Sequence, residues 1–352
     1  MRILVTGGCG FIGSNFIRYI LERHPDWDVF NLDKLTYAGN LANLRELEEE
    51  KRYSLIRGDI ADCELVESLF RDQEMDAAVS FAAETHVDRS ILDPFPFIET
   101  NIKGTQVLLE AARRHDLEKF IQISTDEVYG SILDGKFTED SPYLPNSPYA
   151  ASKAAAELLC RASHKAYGLP VVVTRSSNNY GPYQFPEKLI PLMIRNALAG
   201  KQLPIYGEGR QVRDWLYVED NCRAIDLVLQ KGRAGLAYNI GGGCERENTQ
   251  VVDSICRILA SKLKKDPEEF IRLIARIKDP RGEAHDFRYA LDCKRIREEL
   301  GWKPQVEFDE ALGRTVQWYL DNQRWVESVV TGEYLDYYKK IYGTAVRDDA
   351  RR

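Results

Sequence analysis

Tyr149 and Lys153 form a YxxxK pair in a segment of helical periodicity, so the two side chains share one face. A free phenol has a pKa of about 10 and is no base at neutral pH. A neighbouring ammonium and the positive charge of a nicotinamide favour the phenolate, which predicts a lowered pKa for Tyr149. Such a pair removes a proton from a sugar hydroxyl while hydride moves to the nicotinamide. A second cluster, Ser124-Thr125-Asp126-Glu127-Val128-Tyr129-Gly130, follows an apolar strand-like run. Two adjacent carboxylates beyond the carboxyl end of a strand are costly unless solvated or used, and in such sheets ligands sit there. Each cluster has a bland alternative: an ordinary amphipathic helix face for YxxxK, and an acidic turn capping a helix for Asp126 and Glu127.

A third cluster supplies the nicotinamide's anchor. Thr6-Gly7-Gly8-Cys9-Gly10-Phe11-Ile12-Gly13 places glycines as GxxGxxG. Gly7 allows a tight strand-to-helix turn, Gly10 lets backbone amides approach a pyrophosphate, and Gly13 lets the helix pack on the strand. The helix N-terminus adds free N–H groups and partial positive charge. Asp33 lies twenty positions after Gly13, where a carboxylate meets a ribose 2′-hydroxyl, which favours NAD over NADP. Asp59, in Gly58-Asp59-Ile60, is placed to hold the adenine.

The elements that must position these groups alternate. Strands are expected at Arg2–Thr6, Asp28–Leu32, Tyr53–Arg57, Ala77–Phe81, Lys119–Ser124 and Val171–Arg175. Helices are expected at Phe11–Arg23, Asn40–Glu49, Cys63–Arg71, Pro94–Arg114 and Tyr149–Tyr167. This rhythm predicts an α/β fold, a Rossmann-type doubly wound parallel sheet, with a smaller C-terminal α/β substrate domain. After Asn179 prolines and glycines become frequent. The expected organisation is an NAD-binding domain over 1–180, with a segment returning near 213–240. A nucleotide-sugar domain follows over 181–343, then a disordered tail over 344–352.

Composition narrows the class. The 352 residues are 44% hydrophobic, enough for a large core, and carry a net charge of −7, unlike a generic nucleic-acid binder. No apolar run spans a bilayer and no signal-peptide pattern opens the chain, so a cytoplasmic protein with no membrane partner is expected. Seven scattered cysteines without a CxxC pair predict neither disulfides nor a zinc site.

These motifs carry a resemblance. The chain resembles the dTDP-glucose 4,6-dehydratase family, extended short-chain dehydrogenase/reductases of the nucleotide-sugar branch, to about Tyr342. Its marks are TGGCGFIGSNF, LDKLTYAGNL, AAETHVDRSI, STDEVYG, SPYAASKAAAE, RSSNNYGPYQFPEKLIP and YGEGRQVRDWLYVED. The Asp-Glu of TDEVYG discriminates, since related 4-epimerases and decarboxylases usually lack it. The resemblance implies that Tyr149 takes the 4-hydroxyl proton as C4 gives hydride to NAD, with Thr125 bonded to the 4-oxygen. Lys153 tunes Tyr149 and binds the nicotinamide ribose. Glu127 then removes the C5 proton, Asp126 protonates the departing 6-hydroxyl, hydride returns to C6, and C5 is reprotonated. The product is a 4-keto-6-deoxy sugar, and NAD, regenerated each turnover, stays bound. No metal is required.

The resemblance further assigns Gly7, Gly10, Phe11, Ile12, Gly13, Asp33, Lys34, Thr36, Asp59, Ile60, Ala82, Ala83 and Asn178 to the cofactor, with Tyr149 and Lys153. It assigns Thr85, His86, Asn179, Glu187, Lys188, Leu189, Pro204, Tyr206, Arg213, Asn248, Arg281 and His285 to the nucleotide-diphosphate sugar. Arginines suit a diphosphate because the planar fork makes paired charged bonds. Two departures lie on the nucleotide side: the family's short Arg-Pro-Gly-His-Asp stretch is the longer Pro280–Asp286 here, and Gly243-Cys244 replaces a usual histidine and asparagine. The resemblance also implies a homodimer, joined through the helices Pro94–Arg114 and Tyr149–Tyr167. The competing readings are another nucleotide-sugar dehydratase, epimerase, oxidase or decarboxylase, and a non-catalytic NAD-binding partner protein.

Overall fold

The structure, a computed structural model, describes residues 1–282 and 285–330 together with 334, 336 and 338. The tail expected over 344–352 lies outside the described residues.

Seven strands form one sheet: β1 (Arg2–Thr6), β2 (Asp28–Asp33), β3 (Tyr53–Arg57), β4 (Ala77–Ser80), β5 (Lys119–Thr125), β6 (Val171–Ser176) and, much later, β10 (Ala237–Ile240). Their spatial order is β10-β6-β5-β4-β1-β2-β3, and every pairing is parallel. Apolar runs suit this position, because a parallel strand is covered on both faces. On β1 the alternation is direct. Ile3 and Val5 join Phe16, Ile225 and Trp302 on one side of the sheet, while Leu4 joins Phe70, Leu108 and Phe120 on the other. The chain winds outward from β1 to β3 and then restarts at β4 on the opposite side of β1. That reversal between β1 and β4 opens a crevice at the strands' carboxyl ends.

A smaller unit sits at that end. It holds a three-stranded sheet, β11-β9-β7, from β7 (Asn178–Tyr180), β9 (Val212–Tyr217) and β11 (Glu245–Glu247). It also holds a parallel pair of β8 (Leu203–Tyr206) and β12 (Ile274–Ile277). Its core gathers Leu192, Trp215, Ile255, Leu312 and Tyr319. The segment 213–240 is divided between the two units. Strand β9 pairs within the small sheet, whereas Val218, Ile225 and Val228 of the helix Val218–Lys231, with Tyr238 and Ile240 of β10, belong to the main core. Ile296 and Trp302 return to that core as well.

Two helices differ from expectation. The stretch over 94–114 is not one α-helix: a short turn, Phe95–Phe97, leads into π-helix over Ile98–Gly104 and then α-helix over Thr105–Arg114. Wide winding of this kind marks functional segments. Here it carries Asn101, whose Oδ1 accepts from the Glu84 amide at 2.9 Å and whose Nδ2 donates to Ser152 Oγ at 2.8 Å. The stretch over 40–49 is a 3-10 helix, Leu41–Leu47, interrupted at Leu44 by non-helical backbone. No helix among the described residues is long and apolar enough to cross a membrane.

Candidate active site

Two clefts meet at the crevice. The first encloses about 1600 Å³ counted to its open mouth and is lined by every residue expected to hold the cofactor. The second encloses about 1100 Å³ and is lined by His86, Asn179, Glu187, Lys188, Leu189, Pro204, Tyr206, Arg213, Asn248, Arg281 and His285. Thr85 lines the first cleft instead of the second. Glu127, Asn178, Asn179, Gln184, Glu187 and Lys188 border both, so the clefts join there.

The first cleft is built largely by backbone. Gly7 has φ +72°, and a Cβ there would lie 2.6 Å from the Ala82 nitrogen; a Cβ on Gly13 would lie 2.4 Å from the Gly7 carbonyl oxygen. Only glycine allows both the turn and the close seating of the helix Phe11–Arg23, whose N-terminus faces the cleft. Asp33 is anchored between the glycine loop and the turn that follows its own strand. One carboxylate oxygen accepts from the Cys9 amide and the other from the Leu35 amide, each at 2.8 Å. Burial raises its pKa, and those amides work against the rise. Asp59 is fixed by Lys34 at 2.7 Å and by the Ala61 amide at 2.9 Å. A glycine-walled helix N-terminus with an oriented carboxylate beyond it fits a dinucleotide carrying a free ribose 2′-hydroxyl.

At the junction stand the groups expected to react. Thr125 ends β5 and caps the next turn. Its Oγ1 accepts from the Glu127 amide at 3.3 Å, donates to Asp126 Oδ1 at 3.2 Å, and shares a hydrogen bond with the Tyr149 phenol. Asp126 is buried, and its Oδ2 has no partner among the described residues. Burial and the adjacent Glu127 push its pKa well above the usual range, which favours the carboxyl's protonated form. Glu127 is partly exposed to the clefts. Burial raises its pKa too, but the charges of Lys188, Arg281 and Arg213 pull it back. Two neighbouring carboxyls in unlike surroundings divide into an acid and a base.

The helix Pro148–Tyr167 carries Tyr149 and Lys153, both buried. The expected lowering of Tyr149's pKa by Lys153 is corrected here. Burial and the carboxyls of Glu127 and Asp126 push the phenol up, and Lys153 Nζ is turned to the Ile123 carbonyl at 2.6 Å. Burial pushes Lys153 itself down to about 8, with Glu157 opposing.

The second cleft is built by side chains from distant segments. Lys188 Nζ donates to the Thr85 carbonyl at 3.1 Å, and Glu187 is held by Tyr37 at 3.1 Å and Arg89 at 3.3 Å. Arg281 pairs with buried Asp88 through Nε, and Tyr206 donates to the same carboxylate at 3.4 Å. Arg213 does not present the open fork expected of it: two of its nitrogens are taken by the carbonyls of Val212, Asp286 and Phe287. It offers the cleft its charge. His86 and His285 are both held neutral. Burial pushes His86 well below its usual value and His285 down to about 4. Asp88, Gln184, Tyr37 and Arg89 went unnoticed in the sequence. Asp88 lies within AAETHVDRSI but was given no role there, and its partner lies 193 residues away. Behind the junction, buried Glu157 accepts from Arg175 at 2.7 Å, Tyr143 at 3.0 Å and Ser124, a support that sequence reading also missed.

Known proteins resemble this chain in sequence and fold. A family model described as GDP-mannose 4,6 dehydratase matches residues 4–315. A dTDP-glucose 4,6-dehydratase of Xanthomonas campestris pv. campestris is 52% identical over 342 residues, covering 94% of this chain and 96% of the relative. The chain belongs to the dTDP-glucose 4,6-dehydratase family. Among solved structures, DesIV of Streptomyces venezuelae, a dTDP-glucose 4,6-dehydratase with NAD and TYD bound, superposes with a TM-score of 0.87. It is 49% identical, over 94% of this chain and all of that one. A UDP-glucose 4-epimerase of Thermotoga maritima with UDP-glucose is 30% identical with a TM-score of 0.82, covering 92% of this chain and 100% of that one. Fold alone therefore does not separate the family's reactions, and the junction residues must.

Proposed function

We propose that this chain is an NAD-dependent hydro-lyase that converts dTDP-glucose to its 4-keto-6-deoxy sugar. One observation carries the reaction type. A buried Asp126, bonded to Thr125 and raised in pKa, lies beside a charge-compensated Glu127 and within the same cluster as Tyr149. Oxidation alone needs only the phenol and its helper; loss of water also needs an acid and a base side by side. The relatives named for dTDP-glucose support the substrate.

When bound, NAD supplies the acceptor for hydride leaving C4 and the donor that returns it to C6. The chain supplies the rest. Thr125 and Tyr149 hold the 4-oxygen, and Tyr149 takes its proton once positive charge in the first cleft opposes the two carboxyls. Lys153 holds the nicotinamide ribose. Beside the 4-ketone the C5 proton is acidic, and Glu127 removes it. Asp126 gives its proton to the 6-hydroxyl, which leaves as water, and C5 regains a proton from Glu127 when hydride reaches C6. Gly7, Gly10, Phe11, Ile12 and Gly13 seat the pyrophosphate, with Asp33 on the adenosine ribose. Lys188, Arg213 and Arg281 meet the sugar's diphosphate, and His86 faces the sugar as an uncharged group.

Residues 1–180 with the 218–240 return act as the cofactor domain, and the small unit acts as the substrate domain. A homodimer is supported by exposed Phe95 (73%), Ile98 (49%) and Leu158 (48%) on the two packed helical stretches expected to form the interface. Light scattering should give twice the chain mass, and a monomer would overturn the dimer. A cytoplasmic location agrees with the same reading. For the reaction, changing Asp126 and Glu127 together (D126N/E127Q) should end water loss while a single C4 oxidation per site persists. Water loss by that variant would exclude the assigned roles.

A further inference from the structure

We propose that Gln184 is a further substrate-binding residue, whose side-chain carbonyl accepts a hydrogen bond from a hydroxyl of the hexose ring. The inference rests on the nucleotide-sugar reading above.

Gln184 lies between β7 and the helix Leu189–Leu198, and it is 7% exposed. It borders both clefts where they join, alongside Glu127. Its orientation is fixed from two sides. The backbone carbonyl accepts from the Tyr319 hydroxyl, and Nε2 donates to the Asn179 carbonyl at 2.9 Å. With the amide nitrogen committed, the end that remains is Oε1, a buried acceptor with no partner among the described residues. Asn179 repeats the pattern: its Nδ2 donates to the Ser177 carbonyl at 2.9 Å, and its Oδ1 is unpartnered. Asn178 Oδ1 is the third such atom.

Three buried amide oxygens at one junction demand donors, because an unmet buried acceptor is costly. A diphosphate cannot meet that demand, since at neutral pH it only accepts. A hexose can, because each ring hydroxyl donates. The sugar must also reach this place, for its C4 and C5 have to lie between Tyr149 and Glu127. A site that hydrogen-bonds a hydroxyl rejects the analogue lacking it, so Gln184 helps select an intact hexose. Gln184 also lines the first cleft, so a carboxamide N–H of a bound nicotinamide is the competing donor, and the test separates the two.

Affinities are measured by calorimetry in a Y149F background, which blocks turnover, together with bound NAD per chain. Q184L should weaken dTDP-glucose about tenfold while leaving dTDP affinity and NAD content unchanged. On the protein retaining Gln184, either the 2-deoxy or the 3-deoxy sugar nucleotide should bind about tenfold more weakly than dTDP-glucose. Against Q184L that analogue should lose nothing further. An equal loss of dTDP affinity, or a fall in NAD content, would overturn the proposal. So would deoxy analogues that bind Gln184-containing protein as well as dTDP-glucose does, an arm that needs no folded Q184L. Failure of the unsubstituted protein to remove water from dTDP-glucose would instead sink the dehydratase reading, and the binding arms would still decide Gln184.

Discussion

The two clefts are made in opposite ways. The first is made of backbone: glycines that admit no Cβ, a helix N-terminus, and an aspartate fixed by two amides of its own neighbourhood. The second is made of side chains from segments near 86, 187, 205, 213 and 281, held by ion pairs that cross the fold. A backbone site binds what many relatives share, whereas a side-chain site can be re-specified one residue at a time. Solved relatives that carry NAD and relatives that act on different sugar nucleotides share one fold, which fits that division.

The junction is where a substitution should cost most. D126N or E127Q should slow water loss by about 10² to 10⁴-fold, with NAD content and dTDP affinity unchanged. Equal losses in binding would mean that the pair is structural. Next in size are changes that should separate the clefts. G13V places side-chain carbon against the Gly7 carbonyl, so purified protein should lose its NAD, seen by absorbance after denaturation. Its dTDP affinity should survive. R281Q should do the reverse, costing about 1.5–3 kcal/mol of dTDP affinity with NAD retained. D88N should follow R281Q, and the double variant should cost no more than R281Q alone if Asp88 acts by holding Arg281. Loss of both ligands in any single variant would erase the distinction between the clefts.

The smallest effect is a pH dependence. Burial depresses Lys153 to about 8, so its positive charge is present below that pH and is lost as pH rises through it. NAD affinity should therefore weaken a fewfold between pH 7 and pH 9 (about a unit either side of that value). In K153M the same titration should be flat. A drop that persists in K153M would place the charge elsewhere.

How much of this was legible follows the same division. The glycine loop, Asp33, Tyr149 and Lys153 are readable because their spacing within one strand, turn or helix already fixes their geometry. The parallel sheet was readable because its strands are short apolar runs at regular intervals. Asp88 was not, since its meaning depends on Arg281 far along the chain, and no local pattern encodes that meeting. Gln184 was hidden for another reason: a glutamine in a loop looks solvated until its amide is seen committed to Asn179. The π-wound stretch over Ile98–Gly104 reads as plain helix by periodicity, and only its packing on Glu84 and Ser152 shows otherwise. The phenol's pKa was misjudged because sequence shows that Lys153 is near Tyr149 but not that its ammonium turns to Ile123.

The most direct test of the central claim is product mass. Protein as purified, with no NAD added, would be given dTDP-, UDP-, CDP- and GDP-glucose in turn, and each product examined by mass spectrometry. The account predicts loss of one water from dTDP-glucose in preference to the other three. If none loses water even after NAD is supplied, Asp126 and Glu127 do not act as the acid and base of a dehydration, and the account is contradicted.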